Sequence, residues 1–456
     1  MKKWKNSIAK FRAVCYNIVT GRGRALPRPQ ARKIISEVFQ MKPIRIGVFG
    51  LQRGASYFDN ILANNGEIVA VCDKRQVFVD KALQKLGDTA TGYNDFDAFI
   101  EHPMDAVFLA NYFHEHAPFA IKALEKGIHV LSECTANCTM AEGVALVKAA
   151  QKSSAFYMLA ENYPFMLFNQ EMRRLYKGGT LGQVMFGEGE YNHPGNLYNV
   201  DGAASLRDDV HHWRSLLPAT YYITHSLAPL CYATGSMPIR VTAMPIFMPP
   251  PPDAVAPKFS GDKTAIIMTQ NDDNSVFRVT GCASFAGHGN SYRICGTKGM
   301  VENLRHTGGK IALRYNEWDK PEGVDETQIY MPELQDKDAE LIRKAGHGGG
   351  DFFVIRKFFE AIRTDTKPEM DEYFATRLAS VAILAHRSIL SGGMAYDVPD
   401  FSLESDCEKY KNDHANPFWM SDGTAPNIPC CSRPEYQPSE YALNTLRDAL
   451  KKRFGE

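Results

Sequence analysis

The sequence predicts an α/β fold in two parts: a doubly wound parallel sheet, then an α/β domain with an open, mostly antiparallel sheet. Three observations predict it. At 456 residues the chain exceeds one ordinary hydrophobic core. From Pro43 onward, short apolar runs alternate with stretches of helical spacing. Beyond about residue 160 the runs lengthen and turns separate them.

The first part reads element by element. IRIGVFG (44–50), EIVAVCD (67–73), DAVFLAN (105–111), HVLSE (129–133) and AFYMLAEN (155–162) are near-continuous apolar strands. Between them, Phe58, Ile61 and Leu62, then Ala117, Ala120, Ile121 and Leu124, then Ala141, Val144 and Val147 recur at 3- and 4-residue steps. Strands of this kind alternating with amphipathic helices make βαβ units covered on both faces. In the second part, GQVMFGEGEY, RVTAMPIF, KTAIIMTQ, SVFRVTGCASF and SYRICGTKGMVEN read as longer strands, with GTKG as a turn. Two helices close it, one through Phe352, Ile355, Phe359 and Ile362, the other over about Tyr373–Leu390. The resulting division is a basic arm (1–42), a nucleotide-binding domain (43–160), a substrate domain (161–400) and a tail (401–456) that wraps the domain or a neighbouring subunit.

Composition narrows the function. Lys+Arg and Asp+Glu both number 52, so no overall field favours nucleic acid. The ten cysteines form no CxxC pair and no regular ladder, which predicts reduced thiols and a cytoplasmic protein. The arm is basic, yet Lys10 and Arg12 interrupt any apolar segment, so neither a signal peptide nor a transmembrane span is expected. Adjacent His211 and His212 have no acidic partner at ligand spacing, and no metal site is expected.

The strand 44–50 runs into LQRGASYF, where a Rossmann fold places its glycine turn against a diphosphate. Gly50 is the first glycine, Gln52 replaces the second, and Ala55 stands at the third with Gly54 inserted. Asp73 ends the next strand, where a carboxylate accepts hydrogen bonds from the adenosine ribose. NAD is therefore expected, while Lys74 and Arg75 leave NADP open.

Taken with HEHAPFAIKALEKGIHVLSE, FFEAIRTDTKPEMD and SGGMAYDVPDF, these segments resemble the Gfo/Idh/MocA oxidoreductases over roughly residues 43–400. Ordinary dehydrogenases of that family carry lysine after the strand glutamate and an aspartate four residues before a histidine. Here Cys134 follows Glu133, and Tyr221 stands before His225. TYYITHSLAPL is similar instead to the NAD-dependent glycosidase branch, typified by α-N-acetylgalactosaminidases, as are the Glu161–Asn162 pair, Trp213–Arg214 and GHGGGD with His347 and Asp351. The resemblance implies a sugar substrate oxidised at one carbon, C3. Loss of the C2 proton and of the C1 group follows, then water addition and re-reduction.

It further implies Tyr222 as base, with His225 orienting or moving a hydroxyl proton, and Arg214, Thr224, Tyr292 and His347 on the substrate. Gly50, Gln52, Arg53, Gly54, Asp73, Asn111, Phe113, His116, Glu133, Cys134 and Asn162 fall to the cofactor. Homo-oligomers through the C-terminal sheet are implied too. A net sugar or cyclitol dehydrogenase and a non-catalytic NAD-binding protein stay open as alternatives.

Overall fold

The computed structural model describes residues 42–455 except 286. The basic arm thus lies outside the described residues, save Lys42. Six strands form the first sheet: β1 (Ile44–Phe49), β2 (Gly66–Cys72), β3 (Thr91–Tyr93), β4 (Ala106–Leu109), β5 (His129–Ser132) and β6 (Tyr157–Leu159). Their order is β3-β2-β1-β4-β5-β6, and every pairing is parallel. The order reverses between β1 and β4, so a crevice opens beyond their carboxyl ends, where a doubly wound sheet takes its ligand.

The connecting helices bury the stripes that the spacing marks out. Ala117, Ala120 and Leu124 are buried in the helix His116–Glu125, and Ala141, Val144 and Val147 in Met140–Lys152. The second helix begins with a reciprocal cap: Thr139 accepts from the Glu142 N–H while the Glu142 side chain accepts from the Thr139 N–H. One expected core position fails. Phe58 and Ile61 are buried in Phe58–Ala63, but Leu62 is 50% exposed. A helix of six residues buries a single row, and Leu62 falls on its solvent side.

The second sheet holds β7 (Val184–Asn192), β8 (Pro238–Phe247), β9 (Asp262–Asn271), β10 (Val276–Ala283), β11 (Gly289–Gly296), β12 (Gly299–Asn303), β13 (Ile311–Tyr315), β14 (Thr327–Tyr330) and β15 (Tyr396–Asp397). Their order is β14-β13-β12-β11-β7-β10-β9-β8-β15; only β7 and β10 pair in parallel. GTKG joins β11 to β12 as expected. The short edge strands β14 and β15, and β13 beside the first of them, are too brief for the sequence pattern to mark. One face is covered by the helices Thr224–Thr234 and Glu372–Leu390. The other shows the alternation of a sheet with one open side: on it Met244 and Met268 are exposed, and Glu188 bridges Arg278 and Arg293. Among the described residues no helix is long and apolar enough to cross a membrane.

The helix Thr224–Thr234 rests on β7 at Gly189, where a Cβ would lie 1.9 Å from the carbonyl oxygen of Ser226. That approach sets the depth of the helix that carries His225. Gly189→Ala is therefore expected to destabilise the fold by about 1–3 kcal/mol through overpacking, read by urea unfolding. Wild-type stability in that variant would show that the helix can retreat freely.

Candidate active site

The crevice is built from backbone first. Gly50 ends β1 at φ 89°, and a Cβ there would lie 2.3 Å from the backbone of Ala110 and Asn111. Only glycine allows β1 to turn so close to the end of β4. Gly54 has a second steric duty: its Cβ would meet Val48 Cγ1 at 2.5 Å. Close helix–strand packing thus belongs to Gly54, read from sequence as an insertion, and not to Ala55. Asp73 accepts from the Leu51 N–H at 2.8 Å and the Arg75 N–H at 3.0 Å, lacing β2 to the turn. Burial raises its pKa, and these two donors partly offset that.

A cavity of about 460 Å³ follows, lined by Gly50, Gln52, Arg53, Asp73, Asn111 and Arg214 among others. Asn111 Nδ2 donates to the Glu115 carbonyl at 3.2 Å, while its buried Oδ1 has no hydrogen-bond partner. An orphan acceptor on a cavity wall suits a ligand donor. With the glycine cradle and a carboxylate at the end of β2, these residues fit a dinucleotide.

Residues expected beside the cofactor also hold protein partners. Gln52 Nε2 donates to the Ser205 carbonyl at 2.5 Å, so on the cavity wall it is also a strut to the segment 200–214. Of the two cations that kept NADP open, Lys74 pairs with Asp208 at 2.7 Å and Arg75 stands 4.0 Å from the same carboxylate. Tyr112 donates to the same carboxylate. With Asp73 at the ribose position as well, NAD is the cofactor that the cavity fits.

Behind the turn lies a charge network. Arg53 Nε donates to Glu133 Oε1 at 2.8 Å, and its Nη2 to the Tyr57 hydroxyl at 3.0 Å and stands 3.6 Å from Asp351. Asp351 also accepts from Tyr57 (3.0 Å), Asn162 Nδ2 (2.6 Å) and His347 Nδ1 (3.0 Å). Burial pulls the Asp351 pKa upward, but His347, Arg53 and Asn162 outweigh it and bring it to about 2. Glu133, Asn162 and His347 therefore serve this network.

A second buried cluster, outside the residues that line the cavity, surrounds His225. His225 Nδ1 donates to the Glu161 carboxylate at 2.8 and 2.9 Å. Glu161 is fully buried; burial raises it, yet His225 more than compensates and leaves it below the ordinary carboxylate value. Around the imidazole stand Tyr163, stacked at 4.1 Å, Tyr191 edge-on at 4.8 Å, and Tyr222 edge-on at 4.9 Å. Tyr222 sits in the turn before the helix Thr224–Thr234, and His225 in the first turn of that helix. Burial lifts the Tyr222 phenol well above the usual value.

The other expected residues scatter. Phe113 is sandwiched between Trp213 (5.0 Å) and Tyr222 (5.2 Å). Arg214 lines the cavity, its guanidinium 4.2 Å over the Trp213 ring. Tyr292 is buried and donates to the His225 carbonyl at 2.5 Å, so it steadies the helix and does not line a sugar site. His116 is buried against the Thr135 carbonyl at 3.0 Å, away from the cavity wall, and burial brings it to about 4. Thr224 is buried at the helix start.

Cys134 is buried, its thiol raised by burial and by Glu133 and Glu161. With Glu161 and His225 it places ligand atoms within 4.8 Å of one another, the one such group among the described residues. There the His225–Glu161 hydrogen bond joins two of the three. His211 and His212 take separate partners: His211 stands 3.5 Å from Asp209, and His212 accepts from the Arg214 N–H. Sequence reasoning missed Tyr163, Tyr191 and the dyad role of Glu161. The only signal was that Glu161 ends an apolar strand, where a charge is costly without a partner.

Residues 44–161 match the family model "Oxidoreductase family, NAD-binding Rossmann fold". Residues 255–406 match "Glycosyl hydrolase 109, C-terminal domain". The chain thus joins a first domain similar to the Gfo/Idh/MocA oxidoreductases to a second similar to the glycosyl hydrolase 109 proteins. It is similar to a glycosyl hydrolase family 109 protein of Saccharopolyspora erythraea, 24% identical over 84% of this chain and 89% of that one. A second such protein, from Akkermansia muciniphila, is 25% identical over 83% and 87%. In structure the chain resembles levoglucosan dehydrogenase in complex with NADH and levoglucosan, with a TM-score of 0.65 at 17% identity over 79% of this chain and 100% of that one. Myo-inositol 2-dehydrogenase from Lactobacillus plantarum follows at 0.60 and 16% over 78% and 100%. The first domain is thus an NAD-binding Rossmann domain.

Asp351 is more acidic in the fold than its ordinary 3.8, so its stabilising contribution is complete above that value. As pH falls toward about 2 the contribution is lost. Thermal scans between these limits should show a steeper acid slope in wild type than in Asp351→Asn. Equal slopes would place the acid sensitivity elsewhere.

Proposed function

We propose that this Gfo/Idh/MocA-like protein cleaves a glycoside by transient oxidation of the sugar ring, elimination, water addition and re-reduction. NAD, which Gly50, Asp73 and Asn111 would hold, would supply a reversible hydride acceptor. The Glu161–His225 dyad is the observation that carries the reading. With Nδ1 donating to Glu161, Nε2 of His225 is the nitrogen left to take a proton from the sugar, and the buried carboxylate stabilises the imidazolium that forms.

Tyr222, held protonated, donates a hydrogen bond to a sugar oxygen. Arg214, at the inner cavity wall, binds a hydroxyl or ring substituent. Tyr163 and Tyr191 enclose the imidazole and exclude water, which strengthens the dyad. Cys134 stands where the family's dehydrogenases keep lysine, and its raised thiol cannot replace an ammonium. That substitution favours a cycle with no net oxidation over a net dehydrogenase.

Chromogenic glycosides with the NAD-loaded protein should release aglycone without NADH build-up. Steady NADH production from free sugars would instead mark a net dehydrogenase, and neither signal would mark a binding protein. His225→Ala and Glu161→Gln should each lower kcat about 10²- to 10⁴-fold while the dinucleotide stays bound. Near-normal turnover in either variant removes the dyad from the reaction.

The nine cysteines of the described residues form no disulfide, which supports a cytoplasmic setting. Exposed Met244 and Met268 on the open sheet face support self-association of this chain. Light scattering should report a dimer or larger for wild type and a smaller species for Met268→Lys; an unchanged size would exclude this face.

A further inference from the structure

The helix Glu440–Phe454 lies beyond residue 406, where the family match ends, in the tail that the sequence reading expected only to wrap the domain or a neighbouring subunit. It does not join the main core. Leu443, Leu446 and Leu450 form a separate buried cluster with Ala203, Ala204 and Val210 of the segment 200–214. The helix is thus docked on that segment. Its Ser439 cap accepts from the Ala442 N–H, so its start is fixed as well.

Its last turn reaches the cofactor cavity. Arg453 Nη1 donates to the carbonyls of Ala204 and, at 3.2 Å, Arg207. The Phe454 ring lies 3.8 Å from the Arg75 guanidinium carbon. Both residues line the cavity beside Asp73, Lys74, Arg75 and Phe78, at the end of β2. A dinucleotide lays its adenosine half there. The segment 200–214 is meanwhile tied to the first domain by Gln52 on the Ser205 carbonyl and by Lys74 and Tyr112 on Asp208.

We propose that the C-terminal helix is part of the cofactor site: Phe454, with Arg75 stacked on it, and Arg453 form the wall that closes over the adenosine half and holds the segment 200–214 across it. An aromatic ring with a guanidinium plane on its face suits a flat purine. Trp213 and Arg214, at another part of the same segment, serve the reactive half. The inference rests on the dinucleotide reading of the cavity and adds to it a region outside the family match.

Calorimetric titration of cofactor-stripped full-length protein tests it. NAD and nicotinamide mononucleotide, which lacks the adenosine half, are each titrated into wild type, Phe454→Ala and Arg453→Ala. NAD affinity should fall about fivefold or more in Phe454→Ala, the loss expected from one stacking contact, and fall also in Arg453→Ala. Affinity for the mononucleotide should stay as in wild type. Unchanged NAD affinity in both variants overturns the proposal, as does an equal loss for both ligands, which would mark general loosening. A wild type that binds neither ligand overturns the dinucleotide reading and this inference with it.

Discussion

The pairing of Arg53 with Glu133 and Asp351 is the constraint on which the site depends. It joins the glycine turn after β1, the end of β5 and the helix Gly350–Thr364 that follows the second sheet. None of these segments is a sequence neighbour of another, and each contributes a charge that burial makes costly alone. Arg53 pays for both carboxylates at once, with Tyr57, Asn162 and His347 supplying the remaining hydrogen bonds. Once the cluster is formed, the two domains have a fixed register across the crevice. Asn162 belongs to the network, and the next residue toward the N-terminus is Glu161, so the network also places the dyad.

The site has an electrostatic gradient from rim to interior. Lys74, Arg75 and Asp208 at the rim are partly exposed, and their pairing is weakened by water. Glu161 and His225 are buried among three tyrosines, where a proton shared between them is felt strongly. A lysine at position 134 would have competed for the Glu161 charge. Cysteine there leaves the carboxylate to the histidine alone. The departure from the ordinary dehydrogenase pattern and the presence of the dyad are two sides of one arrangement.

Much of this was legible in the sequence because it is carried by local periodicity. The strands β1, β2, β4, β5 and β6 are short apolar runs with no competing signal, and Gly50 and Asp73 sit at fixed distances along them. What was not legible depends on contacts between distant segments. Gly54 looked like an insertion because its partner, Val48, is met only when the helix folds back on the strand. Gln52 and Tyr292 have side chains suited to a ligand, and spacing does not show that they meet the Ser205 and His225 carbonyls. The packing of Tyr222 against Phe113 and Tyr191 is of the same kind, since spacing carries no measure of burial.

The stacking of Trp213 on Phe113 has a spectroscopic consequence. The indole forms part of the cavity wall, and reduced nicotinamides absorb light in the range where indoles emit. The protein thus carries its own optical gauge of redox state. A reaction that ends with no change in the dinucleotide leaves no trace at equilibrium, yet its fleeting middle would dim this emission in a rapid-mixing trace.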